Sequence, residues 1–459
     1  SYRALGLLRD EFPGVAIHAF TATATERVRG DIVDQLGLDD ARILVGSFDR
    51  PNLVYRVQRR RKAAEQLRQV IERHPDEAGI VYCVSRREVE ETAETVASWG
   101  VSAVPYHAGL PDHLRHKHQE DFLQERVQVV VATVAFGMGI DRSNVRFVVH
   151  TTSPRSLEHY QQEAGRAGRD GLEAECVLLH SPADYHTWRR LVAKDGEPSA
   201  SDMALLSGMQ RYAGTPRCRH KALLEYFGQT LETDGDDGCG ACDFCLGELD
   251  DLEEVGDPLV LAQKILSCVV RLRESFGVTH VVDVLRGSEA EKVTSRGHHA
   301  LSTWGLLDDE PTRQVRSWIE QLIDQGHLVQ TGDRYPVLAV TERGWQAMRG
   351  EADATPQLHR EPARRTAARK PSKASAADWE GVDRDLFEAL RELRLEVARE
   401  REVPPYIIFH DSMLRDMARL KPRSEAELLE VYGVGEKKAS DLGPAFLAAI
   451  AEWEEQAAE

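Results

Sequence analysis

The chain has 459 residues, enough for about three domains with separate cores, and carries a formal charge of −18 with 29% charged residues. No apolar run approaches the ~20 residues of a membrane helix, and the opening has no signal-peptide pattern, so a protein spanning the bilayer by helices is excluded. The acidic balance also excludes binding to nucleic acid by diffuse attraction, and any such binding has to come from local basic patches.

The chain opens at Ser1 inside a helical pattern, "YRALGLLRDEF", as a text beginning within a domain would. From Val15 to about His180 the apolar runs "VAIHAF", "GIVYCV", "SAVPYH", "VQVVVAT", "RFVVHT" and "AECVLLH" read as strands, with the amphipathic helices "REVEETAETVASW" and "PDHLRHKHQEDFLQE" between them. This alternation predicts a mostly parallel sheet with helices on both faces, and ligand-handling residues in loops at the carboxyl ends of strands. Residues 181–250 turn helical and then glycine-rich around a group of cysteines. Residues 254–348 show three short helical patterns and the hairpin "HLVQTGDRYPVLAVT", the order of a winged helix. The Ala- and Pro-rich stretch 349–377, with Arg360, Arg364, Arg365, Arg369, Lys370 and Lys373, reads as a flexible basic linker. Residues 378–456 are helical throughout and form a separate small domain.

Three of the seven cysteines, Cys83, Cys176 and Cys268, sit in apolar runs and read as small buried thiols. Cys218 and the run "CGACDFC", with Cys239, Cys242 and Cys245, form a cluster of four. An odd total with such a cluster fits a metal site in a reducing cytoplasm better than a disulfide framework. Four thiolates close a tetrahedral zinc site and leave no position for water, so its role would be structural; iron–sulfur ligation and an idle cluster are the alternatives.

The stretch "HYQQEAGRAGRDG", His159–Gly171, is a helix running into two glycine-framed arginines, Arg166 and Arg169, one turn apart. Such a guanidinium pair suits a phosphate, since Arg stays ionised and binds oxyanions in a fork; solvated side chains in surface ion pairs are the plainer alternative. Upstream lie "FTATAT" (Phe20–Thr25), "YCVSRREVE" (Tyr82–Glu90), "YHAGL" (Tyr106–Leu110) and "VVVATVAFGMGID" (Val129–Asp141). In this order the stretches resemble the motifs of the second motor lobe of superfamily 2 helicases, with the RecQ family closest in wording.

The resemblance implies that Thr21, Ala22, Thr23 and Ala24 couple nucleotide state to DNA grip, and that Ser85, Arg86, His107 and Thr133 follow the single-strand path. It places Gly139, Asp141 and Gln162 on the nucleotide side, with Arg169 as the arginine finger and Arg166 as its partner. It further implies ATP and magnesium held by a phosphate loop "GxxxxGK[ST]" and an acidic box from a first lobe. Neither pattern occurs in these residues, and "PDEAG", Pro75–Gly79, reads as a surface turn. The chain is thus expected to run from the second motor lobe to the last domain of a 3'-5' DNA helicase, without hydrolysis of its own.

"KVTSRGHHALSTWG" and "RSWIEQLIDQGHLVQ" are similar to the winged-helix (RQC) region of the family, making Arg313, Arg316, His327, Arg334 and Tyr335 candidates for duplex contact and strand separation; a protein-binding winged helix is the alternative. The paired His298 and His299 read as core or capping residues. "LFEALRELRLEVARERE", "VPPYIIFHD" and "LLEVYGVGEKKASDLG" resemble the HRDC domain, with Tyr406, Lys437 and Lys438 as DNA contacts or, alternatively, a docking surface. The implied fold is an α/β RecA-like lobe (1–180), a zinc-binding helical subdomain (181–250), a winged helix (254–348) and an all-α HRDC domain (378–456). The implied setting is a monomer on DNA junctions in the cytoplasm, at the nucleoid, with single-strand-binding protein and repair factors as partners. Two other readings are a non-catalytic DNA-binding adaptor and a zinc-containing winged-helix regulator.

Overall fold

The computed structural model describes residues 7, 11–12, 14–21, 23–38, 41–136, 141–193, 198–231, 238–249, 253–331, 336–360 and 379–458. Ala22, Gly139, Arg334 and Tyr335 lie outside the described residues, as do residues 361–377 of the expected linker; its first part is not a linker, because Ala354 and Leu358 are buried in a core and Arg360 pairs with Glu310 at 2.7 Å.

The first part is a six-stranded sheet in the order β1-β6-β5-β2-β4-β3. Its strands are β1 Leu53–Arg59, β2 Ala78–Tyr82, β3 Ala103–Tyr106, β4 Val129–Ala132, β5 Val145–His150 and β6 Ala174–His180, and every pairing is parallel. β2, β4, β5 and β6 are buried along their whole length, which is why they read as unbroken apolar runs. Alternate residues serve opposite faces. Ile80, Val130 and Val148 pack with Tyr160 and Ala164 on one side. Val81, Val131 and Val149 pack on the other with Leu67, Val70, Val89 and Val96. The helices are α1 Glu26–Leu36, α2 Ala63–Arg73, α3 Arg86–Ser98, α4 Asp112–Leu123 and α5 Leu157–Ala164. Ser85 and Ser156 cap α3 and α5 by accepting from the amides of Glu88 and His159.

Two expectations need correction. "VAIHAF" forms no strand: Val15 is 66% and Phe20 92% exposed, so the run has no partner to bury it. The sixth strand is instead β1, "LVYRVQR", whose Arg56 and Gln58 interrupt its apolar character. Arg56 is buried because Glu175 (3.4 Å) and Glu248 (2.6 Å) neutralise it.

α6 Ala183–Val192, α7 Ala200–Gly214 and α8 Arg219–Tyr226 follow. Leu206, Met209 and Tyr212 of α7 are buried, Met209 and Tyr212 within the core of the sheet face that α5 covers. The third part comprises α9 Pro258–Arg271, α10 Val278–Leu285, α11 Glu291–Thr294, α12 Thr312–Asp324 and α13 Glu342–Met348. Its strand pairs are β7 Glu253–Glu254 with β10 His359–Arg360, and the hairpin β8 Leu328–Thr331 with β9 Val337–Val340. Its core gathers Leu266, Val282, Trp318, Ile319 and Leu322. The last part is helical: α14 Arg384–Glu400, α15 Pro405–Ile408, α16 Asp411–Leu420, α17 Glu425–Leu428 and α18 Glu436–Ala458 around Leu390, Phe409, Leu414 and Phe446. Buried Arg394 pairs there with Asp411 and also lies 3.4 Å from Glu125 of the first part.

Candidate nucleotide and nucleic-acid interface

The arginine turn is held from below. Arg50 donates to the carbonyls of Gly165, Ala167 and Gly168 at 3.4, 3.3 and 2.9 Å. Asn52 Nδ2 donates to the carbonyls of Gly168 and Leu172, both at 2.8 Å. Gly168 has φ +56°, and a Cβ there would meet Asn52 Nδ2 at 2.4 Å, so glycine is required on both counts. The two positioning residues were not anticipated; the polar "DRPN" just before β1 was the available signal.

Arg169 Nη1 donates to Asp141 Oδ1 at 2.6 Å, with side chains 34% and 70% exposed. A solvated pair of this kind is worth little and can reorganise when a stronger anion arrives. Arg166 keeps its Nε buried without a hydrogen-bond partner and lies beside the Tyr82 hydroxyl, which itself donates to the carbonyl of Phe136 at 3.0 Å. Burial pushes the Tyr82 hydroxyl pKa up against the pull of Arg166. Gln162 Nε2 donates to Thr23 Oγ1 at 2.6 Å, tying α5 to the "FTATAT" segment. The arginines do not follow a strand directly. α5 carries them back across the sheet, where the amide of Gly168 donates to the carbonyl of Val145 at the start of β5, 2.9 Å away.

The expected single-strand residues do lie at carboxyl ends of strands, after β2, β3 and β4. Ser85 and Arg86 are exposed, and Arg86 passes against Gly109, where a Cβ would meet it at 3.0 Å. His107 is buried instead, with Nε2 3.2 Å from Glu90 Oε1 and Nδ1 accepting from the amide of Gly109 at 3.2 Å. Its ring shapes the turn rather than a surface. The Thr133 amide donates to the carbonyl of Tyr106 at 3.2 Å. Beside it, Tyr106, Arg115, His116 and Gln119 border a hollow of about 160 Å³.

In the winged helix, Arg313 is exposed at the start of α12, and Arg316 Nη2 donates to Thr279 Oγ1 at 3.1 Å. His327 is wholly buried, and burial lowers its pKa to about 4; it belongs to the core and not to a duplex surface. His298 Nδ1 lies 2.8 Å from His280 Nε2, but neither it nor the exposed His299 is buried, so the expected core role is not what the structure gives. In the last part Tyr406 stacks on His410 with ring centres 6.3 Å apart, and Lys437 is exposed. Lys438 turns inward: Nζ donates to the carbonyl of Ile408 at 2.8 Å and lies over Phe409.

The four cysteine sulfurs, Cys218, Cys239, Cys242 and Cys245, lie within 4.8 Å of one another. Backbone amides of Lys221 and Ala241 donate to Cys218 and Cys239 at 3.5 and 3.4 Å. Those of Arg219 and Cys245 both donate to Cys242, at 3.5 and 3.4 Å. Amides aimed at sulfur stabilise thiolates, so the donor set fits a tetrahedral thiophilic cation. The knuckle is fixed to the free edge of β1: the Tyr55 amide donates to the carbonyl of Ala241, the Asp243 amide to that of Tyr55, and the Val57 amide to Asp243 Oδ2. It thereby covers an edge that would otherwise expose unpaired backbone groups.

Residues 62–171 match the helicase conserved C-terminal domain, 182–246 the RecQ zinc-binding region, 253–365 the RQC domain and 383–450 the HRDC domain. Sheet, arginine turn, knuckle and hairpin together define a RecA-like helicase lobe with zinc-binding, winged-helix and HRDC parts. The chain belongs to the RecQ family of helicases. It is 40% identical over 454 residues to the ATP-dependent DNA helicase RecQ of Haemophilus influenzae, covering 98% of this chain and 72% of that protein. It is 38% identical over 453 residues to the ATP-dependent DNA helicase RecQ of Bacillus subtilis, covering 98% and 73%.

Proposed function

We propose that these 459 residues form the strand-holding and duplex-engaging portion of a RecQ-type 3'-5' DNA helicase acting on junctions in the cytoplasm. In this reading the chain works as a monomer divided at 1–180, 181–250, 253–360 and 378–456, with the basic stretch after Arg360 joining the last two. The observation that carries it is the arginine turn: Arg166 and Arg169 are pre-set by Arg50 and Asn52, and Gln162 links their helix to Thr23. A fixed pair of guanidiniums next to a segment that can pass movement on is what phosphoryl transfer asks of one side of its site.

On this reading ATP and magnesium would be held mainly by residues outside this sequence. When bound, they supply the transferring phosphate and the ion that neutralises it. Arg169 then leaves Asp141 for the phosphate, and Arg166 braces it from the Tyr82 side. Ser85, Arg86 and the backbone at Thr133 grip sugar-phosphate, while Arg313, Arg316 and the hairpin engage duplex. Zinc closed by the four cysteines holds the knuckle on β1.

The test is binding and turnover by this chain with a 3'-tailed duplex. The expected result is salt-sensitive DNA binding without DNA-stimulated ATP hydrolysis. Turnover at a rate typical of a helicase would overturn the assignment of the phosphate-holding residues elsewhere, and absence of DNA binding would overturn the reading altogether.

A further inference from the structure

Residues 41–52, which lead into β1, form neither helix nor strand, yet Arg50 and Asn52 near their end hold the arginine turn. A segment without a backbone ladder keeps its place through groups that neighbours supply. Here those neighbours come from the zinc-binding part. Gln229 brackets the segment with both ends of its amide: Nε2 donates to the carbonyl of Gly46 at 2.9 Å, and Oε1 accepts from the amide of Phe48 at 2.8 Å. The Phe48 ring stacks on buried Phe227 with centres 4.6 Å apart. His220 Nδ1 lies 2.7 Å from Asp49 Oδ1, and its Nε2 lies 3.0 Å from the carbonyl of Leu53 and 3.2 Å from that of Ala241.

The other side of the segment faces α5 and the turn. Gln161 Nε2 donates to the carbonyl of Phe48 at 3.2 Å, and Arg50 and Asn52 bind the carbonyls of Gly165, Ala167, Gly168 and Leu172. Gly46–Asn52 is therefore a strap with the zinc-binding part on one side and the arginine turn on the other. α8 joins this strap to the cysteines. It starts at Cys218, whose sulfur caps it by accepting from the Lys221 amide, and its eight residues, rising about 1.5 Å each, make a rod about 12 Å long. Phe227, Gly228 and Gln229 follow its end, and Gly228, at φ +77°, turns the chain from the helix toward the strap.

We propose that Gln229 is a positioning residue for the arginine pair, with Phe227 and His220 seating the same strap: fixing Gly46–Asn52 sets Arg50 and Asn52, and these set Arg166 and Arg169. The proposal rests on the arginine reading above and extends it to the zinc-binding part, whose cysteines seat α8 and, through it, the strap. Gln229 itself touches no phosphate. Its leverage comes from the reaction, since misplacing a positioned group by about 1 Å costs on the order of a hundredfold in rate.

Q229A tests this, because Gln229 is half-buried and is not among the four cysteine ligands. In the whole 459-residue chain, hydrogen exchange is read at the amide of Gly168, which donates to the carbonyl of Val145, and at that of Ala174, which donates to the carbonyl of Asn52. Both are expected to exchange at least tenfold faster in Q229A, with Ile80 still slow, zinc retained and the melting temperature within about 2 °C. In a helicase containing both lobes, Q229A should lower kcat for DNA-stimulated ATP turnover about tenfold, with KM for ATP and affinity for a 3'-tailed duplex within about twofold, the split that follows when a group acting in the transition state is displaced. R169A is measured beside it. Wild-type turnover in R169A overturns the arginine reading and this proposal with it. Turnover lost in R169A but kept in Q229A overturns the role of Gln229 alone, as does unchanged exchange at Gly168. Loss of zinc or of DNA affinity in Q229A also overturns that role, because the damage would then lie in the fold of the zinc-binding part.

Discussion

Arg59 and Asp324 meet at 2.8 Å across the boundary between the lobe and the winged helix. Asp324, the last residue of α12, is fully buried and also lies 3.1 Å from His180 Nε2. Gly214, which ends α7, packs against it so closely that a Cβ would come within 2.0 Å of the Asp324 Cβ. Burial raises the carboxyl pKa, but the charges of Arg59 and His180 outweigh it and hold Asp324 below the ordinary value. Three parts of the chain therefore converge on one anion. D324A takes the buried carboxylate away from Arg59 and His180, while Arg59 keeps Glu320 at 3.5 Å, and is expected to cost about 3 kcal/mol, the low end for removal of one partner from a buried pair. Urea unfolding measures it, and a loss below about 0.5 kcal/mol would show that the boundary is held by other contacts.

The arginine turn makes a different demand. At Gly168 a side chain would need φ +56° and would press on Asn52 and on the carbonyl of Leu172. G168A is expected to destabilise the lobe by about 1–3 kcal/mol through backbone strain and to displace Arg166 and Arg169 together. N52A leaves the backbone free but removes two donors to the turn. In a helicase containing both lobes it should lower DNA-stimulated ATP turnover at least tenfold while DNA binding is retained. Equal turnover in the N52A enzyme would remove Asn52 from its positioning role.

What the sequence made legible follows from how local each signal is. β2, β4, β5 and β6 are buried on both faces, so their letters alone announce them, and the cysteine knuckle is written in a spacing of three. β1 was hidden because Arg56 answers to Glu175 and Glu248, over a hundred residues downstream. Arg50 and Asn52 were missed for the same reason, since the carbonyls they hold lie beyond residue 164. His107 and Lys438 read as surface contacts because a sequence does not say which way a polar side chain turns. Both face inward onto partners, Glu90 and the carbonyl of Ile408, that become neighbours only in the fold.

His74 supplies a pH dependence. Nδ1 lies 2.6 Å from Glu77 and Nε2 3.0 Å from Glu175. Burial disfavours its charge, but the bonds to Glu175 and Glu77 win, and its pKa stands above the ordinary 6.5. A histidine raised on folding contributes fully below about pH 6.5, and that contribution is lost as pH rises through its folded value. Glu175 behaves oppositely. Burial raises its pKa, but His74, Arg56 and Arg73 hold it well below the ordinary 4.5, so its contribution is present above about pH 4.5 and is lost toward acid. Stability should therefore fall as pH rises above about 6.5 and through the folded value of His74, and H74Q, which does not titrate, should flatten that limb. An identical alkaline slope in H74Q, read from urea midpoints, would place the dependence on other groups.

The knuckle couples metal to the sheet edge. Cys242 is fully buried, accepts two amide hydrogen bonds, and stands between Ala241 and Asp243, whose backbones join Tyr55. Where zinc organises such a loop, the free energy of binding is free energy of folding. C242S is expected to abolish the bound zinc and unfold residues 218–249, and chelation of the wild type should do the same. The damage should travel: with the knuckle gone, the amides of Tyr55 and Val57 lose their acceptors, so their hydrogen exchange should quicken while that of Ile80 in the centre of the sheet stays slow. Metal-free protein with unchanged melting and slow exchange at Tyr55 would show that the four cysteines hold the edge of β1 without an ion.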